Sequence, residues 1–130
     1  YIMLVIFWSR NYIWYSKTNG MAKFEISKRK NGEFQFNLKT NNGEVILTSE
    51  GYSSKTSCKS GINSVITNAS NVSRYDLKAS KNGKFYFNLK ASNGKIIGTS
   101  EMYSTESGRN NGIDSVKSNA PGAQIVDLTA

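Results

Sequence analysis

The chain has no histidine and one cysteine, Cys58. Acid–base or nucleophilic work would therefore fall to Cys58, to carboxylates, or to tyrosine and lysine. No Ser/His or Cys/His pair can form. A His/Cys zinc site fails on ligand count. Nothing matches G-x-x-x-x-G-K-[ST] or G-x-G-x-x-G, so no phosphate loop, metal or cofactor is expected. Glu50 and Glu101 recur, each with a tyrosine two residues on, Tyr52 and Tyr103. Two carboxylates brought together by an internal twofold could divide acid and base roles. The blander reading is a Ser-Glu turn that hydrogen bonds or caps where a strand passes into a helix. Cys58 has Arg109 in the corresponding place of the second copy, and reads as a packed small residue on an inner helix face. Catalysis is not expected.

Binding has better candidates. Asn37, Lys39, Tyr86, Asn88 and Lys90 alternate with apolar residues in two similar segments, so on strands they would share one face. Lysine with tyrosine on an uncovered sheet can contact phosphates and stack bases. The aromatic occurs in one copy only, and the alternative is a solvated face of good strand formers. The formal net charge of +8 fits a nucleic acid, an anionic membrane or an acidic partner, and equally fits simple solubility. The first twenty residues contribute Arg10 and Lys17 and no acid; the remainder carries 15 − 9 = +6.

The elements that must position these residues are legible from an internal repeat. The segments NGEFQFNLK and NGKFYFNLK start at Asn31 and Asn82. Around them, 24–70 aligns without a gap to 75–121, with nearly half the positions identical. Phe24 and Ile26 alternate with polar residues as a half-buried strand requires. Asn31-Gly32 reads as a tight hairpin with two positive-φ residues. Phe34, Phe36 and Leu38 form the apolar face of a second strand. Asn42-Gly43 turns the chain again, and Val45, Ile46 and Leu47 make a third. Cys58, Ile62, Val65 and Ala69 then fall on one helical face, capped by Ser53 or Ser54. The second copy repeats this from Ser104 or Thr105 through Ile113, Val116 and Ala120. Gly61 and Gly112 sit inside these helices, which suggests close approach of helix to sheet. Phe24-Glu25-Ile26 recurs as Tyr75-Asp76-Leu77 and as Val126-Asp127-Leu128, so a strand follows each helix and the middle one serves both units.

The fold expected is α+β: tandem β(3)-α-β repeats, 21–72 and 73–130, sharing one antiparallel sheet with both helices on one face. About fifty residues bury too little surface to be comfortable alone. A monomer is expected, because the duplicate already supplies the partner.

Residues 1–20 have no second copy. Ile2 to Trp8 is apolar but far short of the roughly 20 residues that span a bilayer, and charge follows the run rather than preceding it. A fragment of an anchored protein, a hydrophobic arm and an upstream mis-start before Met21 all remain; the last is preferred. The segment is set aside as a non-domain extension, and no membrane role is expected for 21–130. One cysteine suits a reducing, cytoplasmic setting.

The combined pattern NG-x-[aromatic]-x-F-N-L-K, NG-x-[IV]-I, SE-x-YS and GI-x-SV-x-x-NA resembles the YegP-like family, small prokaryotic proteins of a domain of unknown function. The resemblance covers Met21 to Ala130. It implies units that form a common sheet and exchange their C-terminal strands, and it implies no reaction. Taken together, the expectation is a non-catalytic binding or accessory module, or alternatively a protein that binds nucleic acid, an anionic polymer, on its basic open sheet face.

Overall fold

Four hairpin loops fold the chain into two meanders. The computed structural model describes residues 21–130; the expectation about 1–20 lies outside them. At the first loop the Gly32 N–H donates to the Arg29 carbonyl at 3.0 Å and the Arg29 N–H to the Glu33 carbonyl at 2.7 Å. The loop is therefore three residues long, not two, and Gly32 takes its last, left-handed position at φ 90°. The other three loops repeat this pattern. The asparagine acts through its side chain: Asn31 Oδ1 accepts from the Glu33 N–H, and Asn93 Oδ1 from the Lys95 N–H, both at 3.0 Å.

The first meander is β1 (Lys23–Lys28), β2 (Phe34–Lys39) and β3 (Val45–Thr48), followed by α1 (Lys55–Asn68). The second is β4 (Tyr75–Ala79), β5 (Phe85–Lys90) and β6 (Ile96–Thr99), followed by α2 (Glu106–Asn119) and β7 (Gln124–Asp127). Ser54 caps α1 by accepting from the Ser57 N–H, and Thr105 caps α2 by accepting from the Gly108 N–H. Cys58, Ile62, Val65 and Ala69 are fully buried, as are Phe24, Ile26, Phe36 and Leu38 on the facing side of the sheet.

The strands form one sheet in the order β4-β5-β6-β3-β2-β1-β7. The expected antiparallel pairing holds everywhere except at one edge, where β7 runs parallel to β1. Connectivity explains this. The helix α1 leaves β3 at the centre and delivers the chain to β4 at the far edge of the second meander. The helix α2 does the reverse, delivering β7 to the far edge of the first. Each half thus receives its outermost strand from the other half's helix. Lys55 on α1 holds β7 in place through Asp127, Nζ to Oδ2 2.9 Å. No helix among the described residues is long and apolar enough to cross a membrane.

The pseudo-twofold runs between β3 and β6, where Thr48 opposes Thr99. Perfect symmetry would place two leucines against each other there. The chain instead has Leu47, fully buried, against Gly98; a Cβ on Gly98 would fall 2.6 Å from the Leu47 Cγ.

Gly98→Ala is therefore expected to lower stability by about 1–3 kcal/mol, the usual cost of overpacking. A urea midpoint that does not fall, at unchanged slope, would contradict the packing account. The Asp127 carboxyl is held below the ordinary carboxylate range, by hydrogen bonds from Thr129 first and from Lys55 second. A depressed carboxyl stabilises the fold above its unfolded value of about 3.9, and that contribution fades as pH falls through its lower folded value. The midpoint difference between the wild-type chain and Asp127→Asn should accordingly shrink from pH 6 toward pH 2.5; a constant difference would deny the charge a role.

Candidate functional site

Strand register brings the polar candidates into one row. Asp76, Asn88, Thr99, Thr48, Asn37 and Glu25 stand opposite one another on six adjacent strands. Most of their neighbours along the strands, among them Phe24, Ile26, Phe36, Leu38, Leu47, Tyr75, Phe87 and Leu89, are core residues, so the row lies on the face away from the helices. At 4.7–4.9 Å per strand it runs roughly 24 Å. Thr99 Oγ1 donates to Asn88 Oδ1 at 2.8 Å.

Lysines flank this row, and each carboxylate at its ends sits between two of them. Glu25 meets Lys39 at 2.7 Å and Lys23 at 3.9 Å. Asp76 meets Lys78 at 3.4 Å and Lys90 at 3.6 Å. These pairs are partly exposed and individually weak, but they hold the ammonium groups near the sheet and leave 4 − 2 = +2 on the platform. Tyr86 is half-buried on the same face, opposite Lys78. Its counterpart Gln35 accepts from Arg29 Nε at 2.7 Å. Asn37, Lys39, Tyr86, Asn88 and Lys90 are thus gathered on one surface.

Glu50 and Glu101 are not gathered. Each lies two residues beyond the Thr48/Thr99 pair on chains that run in opposite directions, so the pseudo-twofold carries them apart. Both are exposed. The preceding serines do the local bonding: Ser49 Oγ accepts from the Phe36 N–H at 2.9 Å and donates to the Glu50 carbonyl at 2.8 Å, and Ser100 repeats this with Phe87 and Glu101.

Tyr52 bridges back to Phe34 and lays its ring on α1 at Gly61, where a Cβ would fall 2.7 Å from the Tyr52 Cζ; Tyr103 and Gly112 repeat the contact. The helix glycines thus admit these tyrosine rings. Burial pushes both tyrosine hydroxyls above their ordinary range. Burial also raises the Cys58 thiol, with the Asp127 charge adding to it.

Two features escaped the sequence reading. A serine-rich cleft of about 510 Å³ lies between α1 and the loop after β5, lined by Tyr52, Ser57, Ser60, Ser64, Asn93 and Lys95. Its counterpart beside α2 is about 140 Å³. The serines do recur at helical spacing, but nothing in the sequence names the loop that faces them. The other is Arg109, only 7% exposed, whose Nε has no hydrogen-bond partner among the described residues.

Comparison with known proteins gives a consistent picture. The family described as "Domain of unknown function (DUF1508)" matches residues 30–76 and again 80–127. The UPF0339 protein YegP of Escherichia coli (strain K12) is 53% identical over 106 residues, 82% of this chain and 96% of that protein. A UPF0339 protein in the ptx operon 5′ region of Stutzerimonas stutzeri is 51% identical over 105 residues, 81% of this chain and 95% of the relative. The solution NMR structure of E. coli yegP, a protein of unknown function, superposes with a TM-score of 0.79 at 51% identity, covering 83% of this chain and 93% of that one. A UPF0339 protein of Shewanella oneidensis gives 0.78 at 51%, covering 82% and 91%.

The tyrosine contact has a measurable sign. An interior helical glycine costs about 0.5–1 kcal/mol against alanine, so Gly61→Ala should stabilise unless the ring forbids it. We expect it to destabilise the wild-type chain and to cost less in the Tyr52→Ala variant, where the Phe36 ring, with Cε2 3.2 Å from the added Cβ, still crowds it. Stabilisation in both backgrounds would remove the contact as the reason for the glycine.

Proposed function

The chain belongs to the DUF1508 family, a domain of unknown function, and we propose that it is a non-catalytic binding module. One observation carries this reading: Cys58 and the recurring glutamates and tyrosines that the sequence offered for acid–base or nucleophilic work are spent on structure or separated from their mates. Cys58 is sealed and its thiol is raised by burial, which leaves it protonated and unreactive at neutral pH. Tyr52 and Tyr103 are raised and packed on helix glycines. Glu50 and Glu101 point to opposite ends of the sheet. The lysines of the uncovered face, by contrast, are partly accessible, as is Asn37, whereas Asn88 is only 7% exposed.

That face supports a second, narrower reading: it takes an anionic polymer, a single-stranded nucleic acid. Lys23, Lys39, Lys78 and Lys90 are positioned by Glu25 and Asp76 to meet phosphates, Tyr86 offers one stacking surface, and the Asn-Thr row offers hydrogen bonds without charge. Cytoplasmic residence and a monomeric state belong to the same proposal.

Native mass spectrometry of the purified full chain tests the first reading. A carried ligand released intact on denaturation supports it; turnover of the ligand, or a covalent adduct, overturns it. For the second reading, a fluorescent single-stranded oligonucleotide should bind saturably at low salt and weaken as salt rises. Lys39→Gln with Lys90→Gln should lower affinity at least tenfold while leaving the thermal midpoint within a few degrees. Absence of binding at low salt, or an unchanged affinity in the double variant, removes that reading and leaves the first standing.

A further inference from the structure

The two edges of the sheet are not equivalent. At one edge β1 is covered by β7: the Gln124 N–H donates to the Ala22 carbonyl at 3.0 Å and the Leu128 N–H to the Ile26 carbonyl at 2.9 Å. At the other, β4 occupies the place of β1 and, among the described residues, pairs only with β5. The internal repeat allows the two to be compared residue by residue. Phe24, Ile26 and Ile62 are all 0% exposed on the covered side. Their counterparts Tyr75, Leu77 and Ile113 are 8%, 53% and 8% exposed. A largely apolar groove of about 260 Å³ runs along β4 and α2; Val72, Tyr75, Leu77 and Ile113 line it, with Asn110, Asp114 and Lys117 as its polar members. Val72 is 69% exposed. Asp76 and Lys78, the charges that would guard such an edge, pair with each other on the opposite face.

The arrangement of β7 describes what would fit. It runs parallel to β1 with Ile125 opposite Phe24 and Asp127 opposite Ile26, so both side chains share the helix face. Asp127 reaches Lys55 there and lies close enough to Cys58 to raise its thiol. In the second half the residue in the place of Cys58 is Arg109. Its guanidinium is buried, stands 5.6 Å from the Phe85 ring centroid and, among the described residues, meets no carboxylate but that of the exposed Glu106, at 3.5 Å. Glu106 itself stands in the place of Lys55. The second half therefore keeps a cation near the position corresponding to Asp127, but moves it about one turn along the helix and leaves its Nε without a partner among the described residues.

We infer that the outer edge of β4 and the groove beneath it capture an extended peptide by strand addition, parallel to β4, with an apolar side chain opposite Tyr75 and a carboxylate opposite Leu77 directed toward Arg109. The Tyr75 N–H is taken by the Val72 carbonyl, so backbone hydrogen bonds from the Tyr75 carbonyl onward along the edge supply binding of an extended segment, and the two side-chain positions select one with an apolar residue followed, two positions later, by Asp or Glu. This surface is separate from the uncovered sheet face and does not depend on what that face binds. Residues 1–20 offer apolar residues but no carboxylate, which places them outside the selected pattern.

The test uses the full chain and a labelled peptide with the sequence of residues 123–130, AQIVDLTA. Saturable binding is expected, with amide shift changes centred on Tyr75, Leu77 and Ile113. A peptide with Asn in place of its Asp should bind at least fivefold more weakly. Leu77→Glu, a change at an exposed position, should weaken binding at least tenfold with the fold retained, and Arg109→Gln should abolish the preference between the Asp and Asn peptides. No binding at millimolar peptide overturns the inference. So do shift changes confined to β1, which would mean displacement of β7, and so do contacts to Leu77 from residues 1–20 or from a second copy in the absence of peptide.

Discussion

The structure depends on an exchange: each half of the chain is finished by a strand that the other half's helix delivers. The seam between the halves is too narrow to hold them by itself, since β3 and β6 oppose each other at the single pair Thr48 and Thr99. The helices reach across it instead. The helix α1 rests on β2 of its own meander and on β5 and β6 of the other, and α2 rests on β5 and β3. Burying Ile62, Val65, Phe36 and Phe87 in one continuous core therefore requires both halves at once. A fifty-residue unit left alone would expose the apolar face that its neighbour's helix now covers.

A duplicated sequence folding about a twofold meets two problems that separate copies of one unit share only in part. At the axis, identical side chains collide, and the Leu47/Gly98 pair resolves this by making one side large and the other empty. At the edges, a strand that ends the first unit must also begin the second. The chain has one segment, Tyr75–Ala79, for both tasks, so it supplies seven strands where a full exchange would need eight. Some of the differences between repeats fall where the symmetry fails: Gly98 for Leu47, Arg109 for Cys58, Glu106 for Lys55, Tyr75 for Phe24. The last keeps its hydroxyl satisfied by donating to the Ala69 carbonyl at 2.6 Å.

How much of this was legible in the sequence follows from the range of each signal. Local patterns read correctly: alternation marked β1 and β2, the spacing of Cys58, Ile62, Val65 and Ala69 marked the inner face of α1, and one of each pair of candidate caps was chosen. The Asn-Gly loops were found but assigned one residue too few, because an asparagine that bonds through its side chain looks the same in sequence as one that adopts positive φ. The open face was legible because period-two alternation is enough to separate Asn37 and Lys39 from Phe36 and Leu38. The parallel pairing of β7 was not, because it depends on which edge α2 reaches. The burial of Arg109 and the groove beside β4 were hidden for the same reason: both are consequences of a strand order that no local pattern encodes.

The two surfaces that remain differ in what the chain has done to them. On the uncovered face every carboxylate is flanked by lysines, the central row is neutral and hydrogen-bonding, and the two halves match closely. Such a face is stable in water without a partner, since its polar groups find one another or solvent. The edge of β4 lacks that balance. Leu77 and Val72 stand in solvent, and the same half holds a buried guanidinium whose Nε has no hydrogen-bond partner among the described residues, an arrangement costly to keep and absent from the matching edge, where β7 covers Ile26. Of the two, the edge is where the chain's own internal standard of a finished structure is not met, and it is there that a ligand would gain most by binding.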